Sequence, residues 1–585
     1  MSWALISIIL FSVCTLLAIE KEHPRIYCSD AGKSDFLKSI EKVAWKKQLI
    51  EKKKARLEKY LELWRNDPEW LVARLQMNWK TKHSKVFLRS GNFSHSSGEA
   101  PVPTVRFSGT RDWATDYALP KLEEIEPYFD DPRGMYLENR NTGKKEWVHP
   151  SKTGHGIEGV NRRIMSLIQD AAFLFWLTGE EKYARFAESV FFTYIDGMYY
   201  REAPVDLDNS RQQRISGLST FEVIHEQIVV YLTITYDFLY PYFKANNRDL
   251  SRAVAVFQKW GDQIIKNGVP DNNWNLFQAR FLTYIALALD ENKNYENGKG
   301  QEYYLERTFK KSAERQIAID ESILEYDQQT GIWFESPSYS LHVTTTLLRI
   351  LTLLDNATNK NELANFPIIE KAATAGFQYL FPSGYTVAFG DAKHKPFPPE
   401  TLELLIANYR KYNQKDKEQF FTSLLNQQIE KGNYDRKGKR LFQSFFYVDE
   451  LDKHAAPNEH VSLEKLLWPT FYAPNVSLFI QRMGTGDDAM MVSTVGSSGN
   501  HAHVNGIAIE LFANDYVLGP DMAQGPSYWH PDHRQYYSQF PAHNTVVVDG
   551  ISTYDRMRGY HPFTLDNFFP HPGADKTRFD KITFS

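Results

Sequence analysis

Three short pieces between residues 500 and 546 hold three imidazoles and a carboxylate among them. They stand in Asn500-His501-Ala502-His503-Val504-Asn505, then Gly519-Pro520-Asp521, then Ala542-His543-Asn544-Thr545-Val546. Ile507 to Phe512 and Thr545 to Val548 are short apolar runs bounded by turn residues, the pattern of buried or half-buried strands. On one strand His501 and His503 would point to the same face, because strand side chains repeat every two residues. Imidazole nitrogen and carboxylate oxygen are ligands that Zn²⁺ accepts in tetrahedral geometry, so this group reads as the ligand set of a divalent metal.

The run His543-Asn544-Thr545-Val546-Val547-Val548-Asp549-Gly550, together with the His-x-His pair, resembles the C-terminal β-sandwich of the heparinase II/III-like polysaccharide lyases. That family's pattern is His-x-His-x-Asp, a strand, an Asp-Pro-Gly-like turn and His-Asn-Thr-Val-x-Val-Asp-Gly. Asn505 stands where the pattern has Asp, and Gly519-Pro520-Asp521 permutes the turn. The resemblance implies a multidomain α+β chain, an α/α toroid followed by an antiparallel β-sandwich. It also implies a lyase that cleaves a uronic-acid-containing anionic polysaccharide by β-elimination.

Two further motifs take their meaning from it. Pro270-Asp271-Asn272-Asn273-Trp274-Asn275 precedes an apolar helical run, and by itself it reads as a helix cap. The resembling lyases carry an Asn-Asn-His or similar motif there, whose amide holds the uronate carboxylate. That implies this role for Asn273, with Asn272 and Trp274 beside the substrate; Trp274 replaces the histidine of several relatives. Gly331-Ile332-Trp333-Phe334-Glu335-Ser336-Pro337-Ser338-Tyr339 matches a Gly-x-x-x-Glu-x-x-x-Tyr segment that delivers a catalytic tyrosine, here Tyr339. Pro337 stops a preceding helix and sets Tyr339 beside a rigid turn.

β-Elimination requires a base for the C5 proton, an acid for the departing O4, and a group that stabilises the carboxylate as charge develops. Tyr339 and His501 suit the proton transfers. His503, Asp521 and His543 then form the metal shell, with Zn²⁺ or another divalent ion in a structural role, fixing the strand that carries His501. His225 with Glu226, and Tyr528, Tyr536, Arg534 and His533 before His543, are further candidates for substrate contact. A glycoside hydrolase on the same scaffold, using Asp271, Glu335 or Asp391, is the rival enzyme. A non-catalytic glycan-binding surface protein and an epimerase are also compatible with these residues, and the particular polysaccharide stays open.

Composition sets the frame for these residues. A chain of 585 residues exceeds one core, and 42% apolar residues is ordinary for a globular protein, while 14% aromatics suits stacking on sugar rings. A net charge of −4 argues against a nucleic-acid binder. The apolar run Ala4 to Leu17 has the length of a signal-peptide core and is short for a membrane span, which implies a secreted or periplasmic protein cleaved after Ala18. Cys14 raises a surface lipoprotein as the lesser reading. Cleavage leaves Cys28 alone, so neither an intramolecular disulfide nor a multi-cysteine metal site is available.

The expected organisation is a signal peptide at 1–18, a helical arm at 19–100, the toroid at 101–450 and the β-sandwich at 451–585. Helical periodicity runs through Lys33 to Trp70. It resumes in Arg162–Leu177, Lys182–Ile195, Thr220–Leu239, Ser251–Asn267, Leu276–Leu289, Tyr303–Glu325, Leu341–Asp355, Ile368–Leu380 and Pro399–Tyr412. Many of these stretches are apolar on more than one side, as helices packed in two layers require. From Leu467 onward short strand-like runs replace them. The ~120 residues that follow are fewer than a two-sheet domain of this kind usually has, so the sandwich reads as cut short at Ser585.

Overall fold

The computed structural model describes residues 22–80, 100–103, 117–129, 135–148, 156–201, 227–270, 272–436, 442–452, 466–525, 531–552, 561–570 and 583–584. The expected leader at 1–18, His225, Glu226, Asp271 and Tyr528 lie outside them.

Two helices, α1 (Lys33–Lys42) and α2 (Ala44–Asn66), form the N-terminal arm. A small sheet of β1 (Tyr117–Ala118), β2 (Met135–Asn139) and β3 (Lys145–Val148) follows. The helical domain contains α3 (Gly156–Thr178), α4 (Glu181–Tyr200), α5 (Ile228–Ala245), α6 (Ser251–Asn267), α7 (Asn273–Ala288) and α8 (Gln301–Phe309). It continues with α9 (Pro337–Thr358), α10 (Pro367–Ala375), α11 (Pro399–Lys411) and α12 (Lys415–Glu430).

The order of packing gives the architecture. Helices α3, α5, α7, α9 and α11 each pack on the next of that series, while α4, α6, α8, α10 and α12 pack beside them as the return helices. This is the double-layered arc of an α/α toroid. Its sequence basis is visible in the helix faces: α7 buries residues on nearly every side, whereas α6 buries the stripe Ala253, Val256, Phe257, Trp260, Gly261 and Ile264. Among the described residues no helix is long and apolar enough to cross a membrane.

The stretch 303–325 is not one helix, because α8 ends at Phe309 and a turn pairing Ala313 with Gln316 intervenes. Helix α12 is a further element that the periodicity does not mark.

The second domain holds a five-stranded antiparallel meander of β4 (Thr470–Ala473), β5 (Leu478–Met483), β6 (Met490–Val495), β7 (Ala508–Ala513) and β8 (Tyr516–Val517). A two-stranded ladder joins β9 (Phe568–Phe569) to β10 (Thr583–Phe584). Alternation along the strands sorts their side chains. Phe479 meets Phe568 and Tyr472 meets Phe563 on one face. Arg482 and Phe512 face the helical domain, Arg482 donating to Gln378 O and Phe512 stacking on Phe381.

Two expected strand segments are irregular. Residues 499–506 form a loop, with Gly499, His501 and Gly506 at φ of 81°, 61° and 60°, values outside the strand region. Thr545–Val548 has only a single bridge, from Val548 to Ile551, and Val546 and Val548 are 82% and 67% exposed.

Candidate active site

Two domains meet at the His501 loop, joined through their backbones. Asn500 pairs with Glu335: Asn500 N–H donates to Phe334 O (2.9 Å), and Ser336 N–H donates to Asn500 O (3.2 Å). On the other side Asp391 N–H donates to His501 O at 2.9 Å. Both approaches need glycine. A Cβ at Gly499 would stand 2.4 Å from Phe334 O, and one at Gly390 would stand 2.1 Å from His501 O.

Pro337 is in the first turn of α9, where its fixed φ suits the helix start, and Tyr339 follows it there. The Tyr339 ring stacks on His501 with centroids 3.7 Å apart and planes 9° from parallel. The His501 side chain is 21% exposed, and its Nδ1 lies at ion-pair distance, 3.2 Å, from Oε1 of the fully buried Glu335. Glu335 Oε2 accepts from Trp333 Nε1 at 3.0 Å. Trp333 thus fixes the Glu335 carboxylate beside the His501 ring. On sequence alone Glu335 is only a hydrolase candidate. Its place in the Gly-x-x-x-Glu-x-x-x-Tyr segment is the signal that finds it.

Asn273 begins α7. Phe277 on α7 meets His342 on α9 at 5.1 Å, and further along Arg280 lies in the field of Arg349, so the two helices run parallel with both N-termini at one end. Asn273 and Tyr339 share that end of the arc. Asn273 is buried and its Oδ1 has no hydrogen-bond partner among the described residues, which leaves a polar atom for a ligand or water to satisfy. Asn272 is a helix cap: its φ is +66° and its Oδ1 accepts from Trp274 N–H at 3.0 Å. Trp274 is half-buried in that first turn.

The paired histidines are divided, though not as alternate residues of a strand. His503 is fully buried, its Nε2 2.9 Å from Asp391 Oδ1. His533 Nε2 lies 4.0 Å from the same oxygen, and ligand atoms of Asp391, His503 and His533 all fall within 4.8 Å of one another. Burial would raise the Asp391 pKa, but the His503 hydrogen bond and the surrounding imidazoles outweigh it and hold the carboxyl below its usual range. Burial pushes the His533 pKa down.

Asp521 sits differently from the expected triplet of His503, Asp521 and His543. It accepts from His543 Nδ1 at 2.7 Å, while the His543 ring lies 5.3 Å from that of His503. Glu510 keeps this second pair in register, its Oε1 accepting from Asp521 N–H (3.0 Å) and its Oε2 from Ala388 N–H (2.9 Å). The donor set fits a zinc-class ion. The cluster is buried, it combines imidazoles with a carboxylate, and His503 Nδ1 and His543 Nε2 have no hydrogen-bond partner among the described residues.

His533 is buried in this cluster, so it does not present itself to a substrate. Arg534 and Tyr536, on the same turn, are exposed; Arg534 O accepts from Gln539 Nε2, and the Tyr536 ring meets Tyr537 edge-on. On sequence alone Asp391 is a hydrolase candidate. The run Phe389-Gly390-Asp391 carries the signal for its position, a glycine where the chain passes closest to His501.

Residues 329–468 match the family described as the second domain of endo-acting ulvan lyases. An endo-acting ulvan lyase of Formosa agariphila is 23% identical over 418 residues, which cover 65% of this chain and 48% of that protein. The chain thus spans about half the length of the curated relative it matches. Among solved structures, a heparinase III aligns over 70% of this chain and 58% of its own, at 17% identity and a TM-score of 0.44. A mutant of the heparan sulfate lyase HepC of Pedobacter heparinus aligns over 94% of this chain and 72% of its own, at 15% identity and a TM-score of 0.44. The ulvan-lyase match, from residue 329 to 468, takes in Glu335, Tyr339 and Asp391, the helical-domain side of the junction with His501.

Proposed function

We propose that this chain cleaves a uronate-containing anionic polysaccharide by β-elimination at the Tyr339–His501 pair. One observation carries the reading: a tyrosine of the helical domain stacks at 3.7 Å on a histidine of the β domain. Glu335 stands behind that histidine, and Asn273 lies at the same end of the arc. In the reaction the C5–H and C4–O4 bonds break, a C4–C5 double bond forms, and O4 leaves with a proton. Tyr339 and His501 supply the two proton transfers, and the Asn273 amide hydrogen-bonds the carboxylate as charge builds on it.

A zinc-class ion held by Asp391, His503 and His533, with His543 alongside, would tie the His501 loop to the helical domain as a structural link. Glu335 and Asp391 each face an imidazole, which argues against the solvent-reaching acid and base of a hydrolase. The ulvan-lyase relative makes ulvan the first substrate to try. The leader-like run supports export to where such polysaccharides occur.

Incubation with a panel of uronate polysaccharides, followed by ultraviolet absorbance, tests the reading. The unsaturated product absorbs. New reducing ends without absorbance would mean hydrolysis and would overturn it.

A further inference from the structure

The facing sides of α7 and α9 carry positive charge past the catalytic end. Asn273, Phe277 and Arg280 recur at intervals of four and three residues, so they share one face of α7. Tyr339, His342 and Arg349 follow on α9 at helical spacings of three and seven. Phe277 meets His342 edge-on, at 5.1 Å and 66°. Arg280 lies roughly 10 Å along the helix axis from Asn273.

Among the described residues no carboxylate pairs with Arg280. Its Nη2 donates to Gln227 Oε1 at 3.0 Å, and its Nε is buried with no hydrogen-bond partner there. Glu400, the carboxylate that acts on it from a distance, is already held by Arg349, Nε to Oε1 at 2.8 Å. Burial, then repulsion from Arg349, pushes the Arg280 pKa down to about 10.

The structural arginines of this chain look different. Arg25 donates to Leu287 O and Leu289 O and reaches Asp290, while Arg482 donates to Gln378 O and Trp468 O. Arg280 has one side-chain amide in place of such carbonyls.

The surroundings add charge of the same sign. Lys395 is exposed and makes no ion pair among the described residues. His342 is exposed by area, and the charges of Arg349, Arg280 and Lys395 all act on it. Burial first, then those three cations, push its pKa down to about 3. A surface so lined favours an anion, and a guanidinium matches the planar or tetrahedral oxygens of carboxylate and sulfate.

We infer that Arg280, with Lys395 and His342, forms an oxyanion subsite that takes a sulfate ester or a second uronate carboxylate of the bound polysaccharide. Its place on the substrate rests on the β-elimination reading, but its affinity for an oxyanion does not.

Calorimetry with sodium sulfate and with glucuronate, at constant ionic strength against chloride, separates the two. Wild-type protein should bind at least one of them saturably. Arg280→Gln should bind it ten- to a hundredfold more weakly and Arg280→Lys by an intermediate factor, since one charge-assisted contact is lost or weakened. Lys395→Gln, at an exposed position, should weaken binding less and keeps the test open if Arg280→Gln does not fold. Turnover supplies the second arm. If the KM penalty of Arg280→Gln disappears on a desulfated polysaccharide, the subsite takes sulfate; if it persists, the subsite takes carboxylate. No saturable binding in wild type, or equal affinity in Arg280→Gln, would overturn the subsite. Oxyanion binding without turnover on any uronate polysaccharide would retain the subsite and overturn the lyase reading instead.

Discussion

Gly390→Ala tests whether the position of His501 matters as well as its presence. Gly390 has φ +59°, and a Cβ there would stand 2.1 Å from His501 O. Both atoms are held by backbone, so no rotamer change relieves the contact. Reaching even the tightest tolerated separation of 3.0 Å requires a shift of about 1 Å. The left-handed backbone costs an L-residue roughly 1–2 kcal/mol. Loss of the neighbouring Asp391 N–H to His501 O bond, 2.9 Å in the native structure, adds about 1 kcal/mol. The variant should therefore lose about 2–3 kcal/mol, a fall of several degrees in melting temperature. A 1 Å displacement of His501 opens its stack on Tyr339, and misplacement of that size costs about 100-fold in rate. The assay is the initial rate of ultraviolet absorbance on a cleaved uronate polysaccharide, with melting followed in parallel. Gly384→Ala is the control: it has φ +87° with nothing within 4 Å of its Cβ, so it carries the backbone cost without the clash. Equal turnover in Gly390→Ala and Gly384→Ala would contradict a rate set by the placement of His501.

Tyr339→Phe keeps the ring and removes the hydroxyl, so kcat should fall by about 10²–10⁴ with substrate binding nearly intact; wild-type kcat would make Tyr339 a packing residue. His501→Ala should lose activity and keep its metal content, whereas His503→Ala should lose metal and soften the β domain; equal metal loss in elemental analysis would make His501 a ligand too. Asp391→Asn and Asp521→Asn decide between the two carboxylates beside the histidines. Greater metal loss in Asp391→Asn supports the cluster with His533, and the reverse supports the triplet read from the sequence. For pH, the native His342 pKa is about 3, below the unfolded value near ~6.5. The unfolded chain therefore binds the extra proton first, and stability falls as pH drops from about 6.5 toward 3. Because His342 is solvent-exposed, the effect is reduced by screening; His342→Gln should flatten this part of the profile, and an unchanged slope would remove His342 as its cause.

Helix periodicity and local turn chemistry are written in the chain itself. Ser251–Asn267 carries an apolar stripe that any partner surface would bury, and α6 spans those same residues. Pro337 announces the start of α9, and Asn272 announces the cap of α7, because proline and asparagine act on their own neighbours. Residue types also mark the chemistry: the run from Gly331 to Tyr339 and the His501–His503 pair hold the groups that meet at the domain junction. Which atom each group meets depends on contacts far along the chain. A strand reading puts both histidines on one face, but the left-handed φ of His501 and the glycines at 499 and 506 turn the segment into a loop. Asp391 lies 112 residues before His503, and Glu335 lies further still from His501, so no local pattern could assign either partner. Asp521 is nearer in sequence to the histidines, and it hydrogen-bonds His543. Those choices belong to the interface, where the backbone contacts of Phe334, Gly390 and Gly499 fix which carboxylate reaches which ring.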